Sequence, residues 1–128
     1  MPASLSPNAP EVLRDYYRIL QGGTAAYQEG VRMRELLTDH LDFTGSLAGH
    51  LADATEGFLQ GVAGFIGTVR DIEIVQDVHD ESGSAVLYSA TMPGGPVAFA
   101  EFFTFEDGRI NTLNLHYNGP EYLDKGGR

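Results

Sequence analysis

Hydrophobic residues recur at helical spacing in the first half of the chain and at strand spacing in the second half. In the first half, three segments place apolar side chains on one face at a period near 3.6 residues, which predicts three helices. They cover residues 10–21, 25–37 and 53–66, and the third begins with Asp53 and Glu56 at the spacing of a capping box. Between the second and third helices, LDFTGSLAG predicts a short strand followed by a glycine-rich loop.

After Gly67 the apolar residues alternate with polar ones, which predicts four strands. These strands are VRDIEIVQDVHD, SAVLYSATM, PVAFAEFFTF and RINTLNLHY, and the connectors DESG, PGG and EDG consist of turn residues. Strands joined by such short connectors are antiparallel neighbours. Helices and a first strand followed by a four-stranded meander predict an α+β fold, and 128 residues fit a single domain.

One acidic residue interrupts the apolar face of the third meander strand. In VAFAEFFTF, residues 97–105, Glu101 shares a face with the apolar side chains at every second position. A carboxylate in apolar surroundings is costly unless it is paired, hydrogen-bonded or protonated. Glu101 is therefore either a carboxylate paired beneath the sheet or the working group of a pocket. Its apolar neighbours favour the pocket.

Composition limits the partners and the chemistry. Asp and Glu total 18 against 8 Lys and Arg, a net charge of -10, which argues against nucleic-acid or anionic-membrane partners. The absence of cysteine excludes disulfides and thiolate chemistry. Because the sequence has no phosphate loop, serine nucleophile elbow or metal-ligand cluster, no cofactor or metal ion is expected. The first residues lack the features of a secretory signal, and a cytoplasmic location is the default expectation.

The two ends of the chain lack a periodic pattern. Residues 1–9, with prolines, serines and an asparagine, predict a flexible lead-in, and residues 123–128 predict a flexible tail. Residues 10–122 are predicted to form the domain. Both an open pocket and one covered by the C-terminal segment PEYLDKGGR are compatible with this sequence.

Two stretches resemble the nuclear transport factor 2-like superfamily, which includes SnoaL-like polyketide cyclases and ketosteroid isomerases. YYRILQGG resembles the aromatic first helix that a glycine turn closes, and FAEFFTFEDGRINTLNLHYNG resembles the final hairpin with its acidic-aromatic strand. The order of elements is also similar over residues 10–122. The resemblance implies a curved, mostly antiparallel sheet wrapped around three N-terminal helices, with a conical apolar pocket. This fold supports both enzymes and non-catalytic binding proteins.

The resemblance implies roles for particular polar residues. In ketosteroid isomerases, a protonated acid at the position of Glu101 and a tyrosine at the position of Tyr16 donate hydrogen bonds to a dienolate oxygen. A core tyrosine is the alternative interpretation of Tyr16. The family's proton-abstracting aspartate falls on Gly45 in this chain. Asp42, in a shifted register, and His50, in the loop near the pocket mouth, are the alternative proton-transfer groups.

The resemblance also implies which side chains contact a ligand and where two copies of the chain meet. The expected ligand contacts are Phe43, Gly45, Phe58, Phe99, Phe103, Leu113, Leu115 and Tyr117. The outer sheet face, with Thr104, Thr112, Asn114 and His116, is implied as a homodimer interface. Of the remaining histidines, His40 is expected at the end of the second helix and His79 in an exposed turn.

Three functions are compatible with these residues. A cofactor-independent isomerase, cyclase or dehydratase would use Glu101 and Tyr16 to stabilise the enolate oxygen of an apolar, carbonyl-bearing substrate. A non-catalytic binding protein would use the same pocket, with Glu101 orienting the ligand. A dimerisation module would fill the pocket with phenylalanine side chains and leave Glu101 buried at a high energetic cost. The glycine at the position of the base favours binding, or a weak activity of unassigned chemistry.

Overall fold

The first part of the chain is helical as far as residue 35. The structure, a computed structural model, describes residues 5–128. Helix α1 covers Glu11–Gln21, α2 covers Gly23–Tyr27 and α3 covers Val31–Glu35, with a 3-10 turn at Gln28–Gly30. None of the helices within residues 5–128 is long and apolar enough to cross a membrane.

The predicted second helix, residues 25–37, is wrong as a single element. The helix is interrupted at residues 28–30, where Gln28, Glu29 and Gly30 take φ angles of 46°, 58° and 87°. A Cβ on Gly30 would lie 3.2 Å from the Tyr27 hydroxyl and 3.4 Å from the Leu59 side chain. Glycine is favoured here because it tolerates a positive φ and leaves room for these two neighbours.

The remaining elements form a six-stranded curved sheet and two further helices. Their bounds are β1 Leu37–Gly45, β2 Gly49–Leu51, α4 Thr55–Thr68, β3 Asp71–Asp80, β4 Gly83–Met92, β5 Gly95–Glu106, β6 Arg109–Tyr117 and α5 Gly119–Asp124. The strand order is β2-β1-β6-β5-β4-β3, with β1 parallel to β6 and every other neighbouring pair antiparallel. The predicted α+β fold with its mostly antiparallel sheet is confirmed.

Alternation along the meander decides which sheet face is buried. On β5, Val97, Phe99, Glu101 and Phe103 are buried, whereas the residues between them turn outward or are half-buried. Their side chains share the inner face with buried residues of β4, and the apolar stripes of α1 and α4 complete the core. The site described below lies within this layer between helices and sheet.

Three local predictions between residues 36 and 55 are wrong. His40 lies on β1, because the strand begins at Leu37 where a helix end was predicted. The glycine-rich segment contains the short strand β2, which pairs with β1. Asp53 has a φ of 49° and does not cap α4, whose N-cap position is Ala54. The helix therefore begins one residue later than the capping-box spacing predicts.

A β-bulge changes the outcome for His79. The pairing of β3 with β4 shifts register between Ile74 and Gln76, which turns the following residues to the opposite face. The His79 side chain is only 3% exposed, and its ring nitrogens lie 2.6 Å from Asp77 Oδ2 and 2.7 Å from Ser84 Oγ. The prediction of an exposed histidine is wrong. Unbroken alternation along β3 would place His79 on the outer face, but the bulge turns its side chain inward.

Residues 5–9, the described part of the predicted N-terminal lead-in, pack against the domain. Leu5 and Ala9 are buried, and the amide and hydroxyl of Ser6 each donate a hydrogen bond to the Asp77 carboxylate at 2.8 Å. Burial raises the pKa of Asp77, but the hydrogen bonds from Ser6 and His79 together hold this pKa below its ordinary value. The prediction of flexibility is corrected for residues 5–9, and residues 1–4 lie outside the described residues.

The predicted flexible tail is also packed. Asn118 caps helix α5 by accepting a hydrogen bond from the Glu121 amide at 2.9 Å. Beyond α5, the Tyr122 hydroxyl donates to the Arg128 carbonyl oxygen at 2.8 Å and accepts from the Arg128 amide at 3.1 Å. Residues 123–128 therefore fold back over Tyr122, which corrects the predicted tail.

Thr55 joins the start of α4 to the irregular part of β1, and its hydroxyl provides a stability test. The hydroxyl donates to the Thr38 carbonyl at 2.9 Å and accepts from the Leu41 amide at 3.1 Å. Thr55→Val leaves both buried backbone groups without this partner and should lower the free energy of unfolding by about 1–3 kcal/mol. Urea unfolding measures the change. Thr55→Ser keeps the hydroxyl and is the matched control; equal stability of the Val and Ser variants would contradict the assignment.

Candidate functional site

A cavity of about 250 Å³ lies between the inner face of the sheet and helices α1, α4 and α5. Most of its wall is apolar, and the charged side chains in the wall are Glu101 and Arg128. Eight aromatic residues form part of the cavity wall: Tyr16, Phe43, Phe58, Phe65, Tyr88, Phe99, Tyr117 and Tyr122. An apolar enclosure with few polar groups is the usual form of a small-molecule site.

One end of the cavity reaches solvent. Leu47, Leu51 and Leu123 contribute to the wall and are exposed, as is Arg128. We call this end the mouth. Two other polar residues of the wall, Tyr16 and Glu101, are buried, and we call this part of the wall the floor. The cavity thus has a mostly apolar mouth and a polar, buried floor.

The floor contains a carboxylate that two tyrosines contact. Glu101 is 1% exposed, and the Tyr16 hydroxyl donates to its Oε2 at 2.8 Å while the Tyr17 hydroxyl donates to its Oε1 at 2.7 Å. The adjacent tyrosines of α1 reach one carboxyl group because their rings meet edge to face, with centroids 4.9 Å apart. The sequence predicts Tyr16 at the site but misses Tyr17. The YY pair on the apolar face of α1 was the available signal.

Burial controls the protonation of this group. It raises the pKa of Glu101 to about 7, although the hydrogen bonds from Tyr17 and Tyr16 act in the opposite direction. Burial, followed by the nearby Glu101 carboxyl, raises the pKa of both tyrosines well above the ordinary value. None of the ion pairs within residues 5–128 includes Glu101. Near neutral pH the carboxyl can therefore accept a hydrogen bond when ionised or donate one when protonated.

The two predicted proton-transfer groups lie elsewhere. Asp42 Oδ2 and His50 Nε2 are 2.9 Å apart, and their side chains are 47% and 61% exposed. Neither contributes to the cavity wall. The shifted register that would bring Asp42 inside does not occur, because Phe43 and Leu41 take the buried positions of β1. The placement of both residues at the site is corrected.

The position of the missing base is covered by an aromatic ring. A Cβ on Gly45 would lie 2.9 Å from two ring atoms of Phe43. A side chain at residue 45 would have to displace this ring, which itself forms part of the cavity wall. The glycine is consequently coupled to the shape of the site.

Some of the predicted ligand contacts lie in the cavity wall, and their role in binding stays a prediction. Phe43, Phe58, Phe99, Leu115 and Tyr117 lie in the cavity wall, whereas Gly45, Phe103 and Leu113 do not. Phe103 lies behind the floor, where its ring meets those of Tyr16 and Tyr17 edge to face, and Leu113 is fully buried in the core. The prediction misses Phe65, Tyr88 and Tyr122. The last of these belongs to a helix that the sequence did not predict.

Two glycines of α4 lie in the cavity wall. Gly57 and Gly61 are one turn apart and exposed, and a Cβ added to either would meet no side chain within 4 Å. Glycine inside a helix costs up to ~1 kcal/mol relative to alanine. The helix thus contains two residues that are unfavourable for its stability at positions of the cavity wall.

The outer sheet face is separate from this site. Thr104 and Thr112 join across β5 and β6 with their hydroxyl oxygens 2.6 Å apart, and the exposed Phe102 ring lies 5.8 Å from that of His116. Asn114 pairs with Phe102 in the sheet register. The homodimer through this face stays a prediction. Within residues 5–128, no three His, Asp or Glu side chains are grouped so as to hold a metal ion.

The buried carboxyl makes stability depend on pH. Its pKa is higher in the folded state, so the contribution of Glu101 is fully present below about pH 4.5 and is lost as the pH rises through about 7. We expect the free energy of unfolding to fall by about 3 kcal/mol over this range relative to Glu101→Gln. Urea unfolding of both proteins at several pH values measures the difference. Parallel stability curves for the two proteins would contradict a buried, titrating Glu101.

Solved structures with low sequence identity share this architecture. A protein from Kribbella flavida has a TM-score of 0.78 at 16% identity, over 94% of each chain. A steroid delta-isomerase from Pseudomonas aeruginosa has a TM-score of 0.71 at 15% identity, over 94% of this chain and 87% of that chain. An NTF2-like protein from Cytophaga hutchinsonii has a TM-score of 0.64 at 14% identity, over 92% of this chain and 99% of that chain.

No family model and no curated protein matches the sequence. The similarity is therefore one of three-dimensional architecture. At these identities a shared architecture does not specify an activity. The predicted relationship is confirmed at this level: the chain has the fold of the nuclear transport factor 2-like superfamily.

Proposed function

We propose that this protein binds a small, largely apolar molecule whose single polar group contacts Glu101 and Tyr16. The observation that carries the proposal is a fully buried carboxyl group in the floor of an aromatic cavity that opens to solvent. A volume of about 250 Å³ suits a ligand of one or two rings. The apolar wall supplies affinity, and the floor fixes the orientation of the ligand.

A cavity of this size argues against a purely structural role. A filled core would be more stable, because each buried void forfeits packing interactions among its lining atoms. Gly57 and Gly61 keep side chains out of the space, and Glu101 adds a desolvation cost to the floor. A dimerisation module has no use for either feature, whereas a binding protein uses both.

A cofactor-independent isomerase, cyclase or dehydratase is the second candidate. The proximity of Tyr16 and Glu101 in the floor favours it, since the two groups could stabilise an enolate oxygen if Glu101 were protonated and the Tyr16 hydroxyl turned towards the ligand. Such a reaction also needs a base near the acidic carbon of the substrate. Asp42 and His50 lie outside the cavity, and Gly45 lies beneath the Phe43 ring. Binding without turnover is therefore the better-supported function.

Ring compounds with one hydroxyl group test the binding proposal. Titration with 1-naphthol and with phenols of graded acidity should raise the thermal midpoint in a saturable manner. Glu101→Gln should weaken binding by roughly tenfold or more, because a hydrogen bond to a charged group is lost. Glu106→Gln, which changes an exposed residue of the same strand, is the control and should bind as the wild type does.

The outcomes separate the two candidates. An affinity that rises with the acidity of the phenol indicates oxyanion stabilisation and favours the enzyme. An affinity that follows ring size and is independent of ring acidity favours the binding protein. If none of these compounds stabilises the wild type, the binding proposal is wrong.

Gly61 provides an independent test of where the ligand lies. Gly61→Leu extends a side chain over the cavity and should weaken 1-naphthol binding by roughly tenfold or more, since it competes for the same volume. Gly67→Leu is the matched control, because Gly67 lies on the same helix outside the cavity wall and also has free space around it. Both changes should preserve or increase thermal stability. Equal binding by the two variants would place the ligand elsewhere.

A further inference from the structure

Glu101 is an acidic group without a basic partner. Its two hydrogen-bond donors, Tyr16 and Tyr17, are neutral hydroxyls, and no Lys, Arg or His within residues 5–128 forms an ion pair with it. The basic residue of the cavity wall, Arg128, is at the mouth and exposed. The two hydroxyl donors offset part of the cost of burying this carboxylate, and a proton or a positive charge would compensate the remainder. The protein supplies no such charge at the floor.

We infer that the ligand carries a protonated amine, which enters the cavity and forms an ion pair with the ionised Glu101 carboxylate. This inference rests on the proposed function, since it names the chemical class of the molecule that occupies the same cavity. The amine replaces the proton that otherwise neutralises the carboxyl group. Tyr16 and Tyr17 can donate to the ionised carboxylate throughout, so the floor needs no rearrangement to accept the cation.

The aromatic wall beside Glu101 fits a cation. On the inner sheet face Phe99 is two residues from Glu101, and its neighbours across the strands are Tyr88 and Tyr117. The rings of Phe99 and Tyr88 are stacked with centroids 5.1 Å apart, and the centroid of Tyr117 is 4.9 Å from that of Phe99. Aromatic faces attract ammonium groups, and the attraction is stronger where water is excluded. One carboxylate and several adjacent rings together form a site for an alkylammonium group.

The charge of the protein points to the same ligand class. The net charge of -10 produces a negative potential that attracts cations and repels anions. An anionic ligand would also approach an acidic floor and could bind only to the protonated state of Glu101. The groups that face Glu101 from α1 and β4 are Tyr16, Tyr17 and Tyr88, and burial keeps all three neutral by raising their pKa. None of these groups carries a positive charge, which leaves that role to the ligand.

Three probes of similar size and different charge test this inference. Isothermal titration calorimetry at about pH 8 compares 2-phenylethylamine, 2-phenylethanol and phenylacetate. The amine should bind at least roughly tenfold more tightly than the alcohol, and phenylacetate more weakly than either. In Glu101→Gln the preference for the amine over the alcohol should disappear, whereas Glu106→Gln should retain it. Circular dichroism confirms that each variant is folded.

The dependence on pH gives a second readout that requires no variant. Between about pH 6 and pH 8, amine affinity should rise roughly tenfold as Glu101 loses its proton, while the amine remains charged. Affinity for 2-phenylethanol should change little over the same range. An alcohol or a carboxylate that binds as tightly as the amine overturns the inference and leaves the proposed function intact. If no probe binds, the proposed function and the inference both fail.

Discussion

The carboxyl group of Glu101 is buried between the sheet and the first helix, and the surrounding structure is arranged to accommodate it. Two tyrosine hydroxyls from consecutive residues of α1 occupy its two oxygens, which fixes the rotation of the helix relative to β5. Phe103 lies against both tyrosine rings and holds them in place. Since a carboxylate in this position costs several kcal/mol when it is charged and unpaired, these donors lower the cost of burying it and at the same time orient it within the site.

The cavity next to this group depends on helix positions that have no side chain. Helix α4 crosses the sheet with Gly57 and Gly61 in the cavity wall, so the layer of side chains is interrupted there. The C-terminal segment closes part of the gap, because Tyr122 contributes to the wall and is bonded to the backbone of Arg128. The curved sheet therefore supplies the aromatic wall and the floor, and the helices determine how much space remains.

Local periodicity predicts much of this fold, and its failures have identifiable causes. The meander and the burial of Glu101 follow from alternation, and the first helix follows from its apolar stripe and the glycines after it. The break at residues 28–30 depends on Gly30 packing against Leu59, a contact between distant parts of the chain. The inward orientation of His79 depends on a β-bulge that no glycine or proline in this stretch predicts. Long-range contacts override local pattern in both places.

The sequence could identify some residues of the site and could not place others. Glu101 could be identified because one polar residue stands out on an apolar strand, and Tyr16 because the element order resembles a known fold. Phe103 and Leu113 share the inner face with Glu101, yet they lie outside the cavity, because alternation identifies a face and does not show where a helix covers it. Asp42 and His50 could not be placed, because the start and register of β1 depend on its pairing with β6 and β2.

The orientation of the two tyrosines bears on the chemistry of the site. A group that stabilises an oxyanion must direct its hydroxyl towards the ligand, whereas both hydroxyls here are directed towards Glu101. Donors arranged in this way favour the ionised carboxylate, and burial opposes them, so the pKa of Glu101 lies at about 7. A small additional interaction can therefore decide whether the group holds its proton. A positively charged ligand provides that interaction by direct ionic attraction, which is stronger than a further hydrogen bond from a neutral donor.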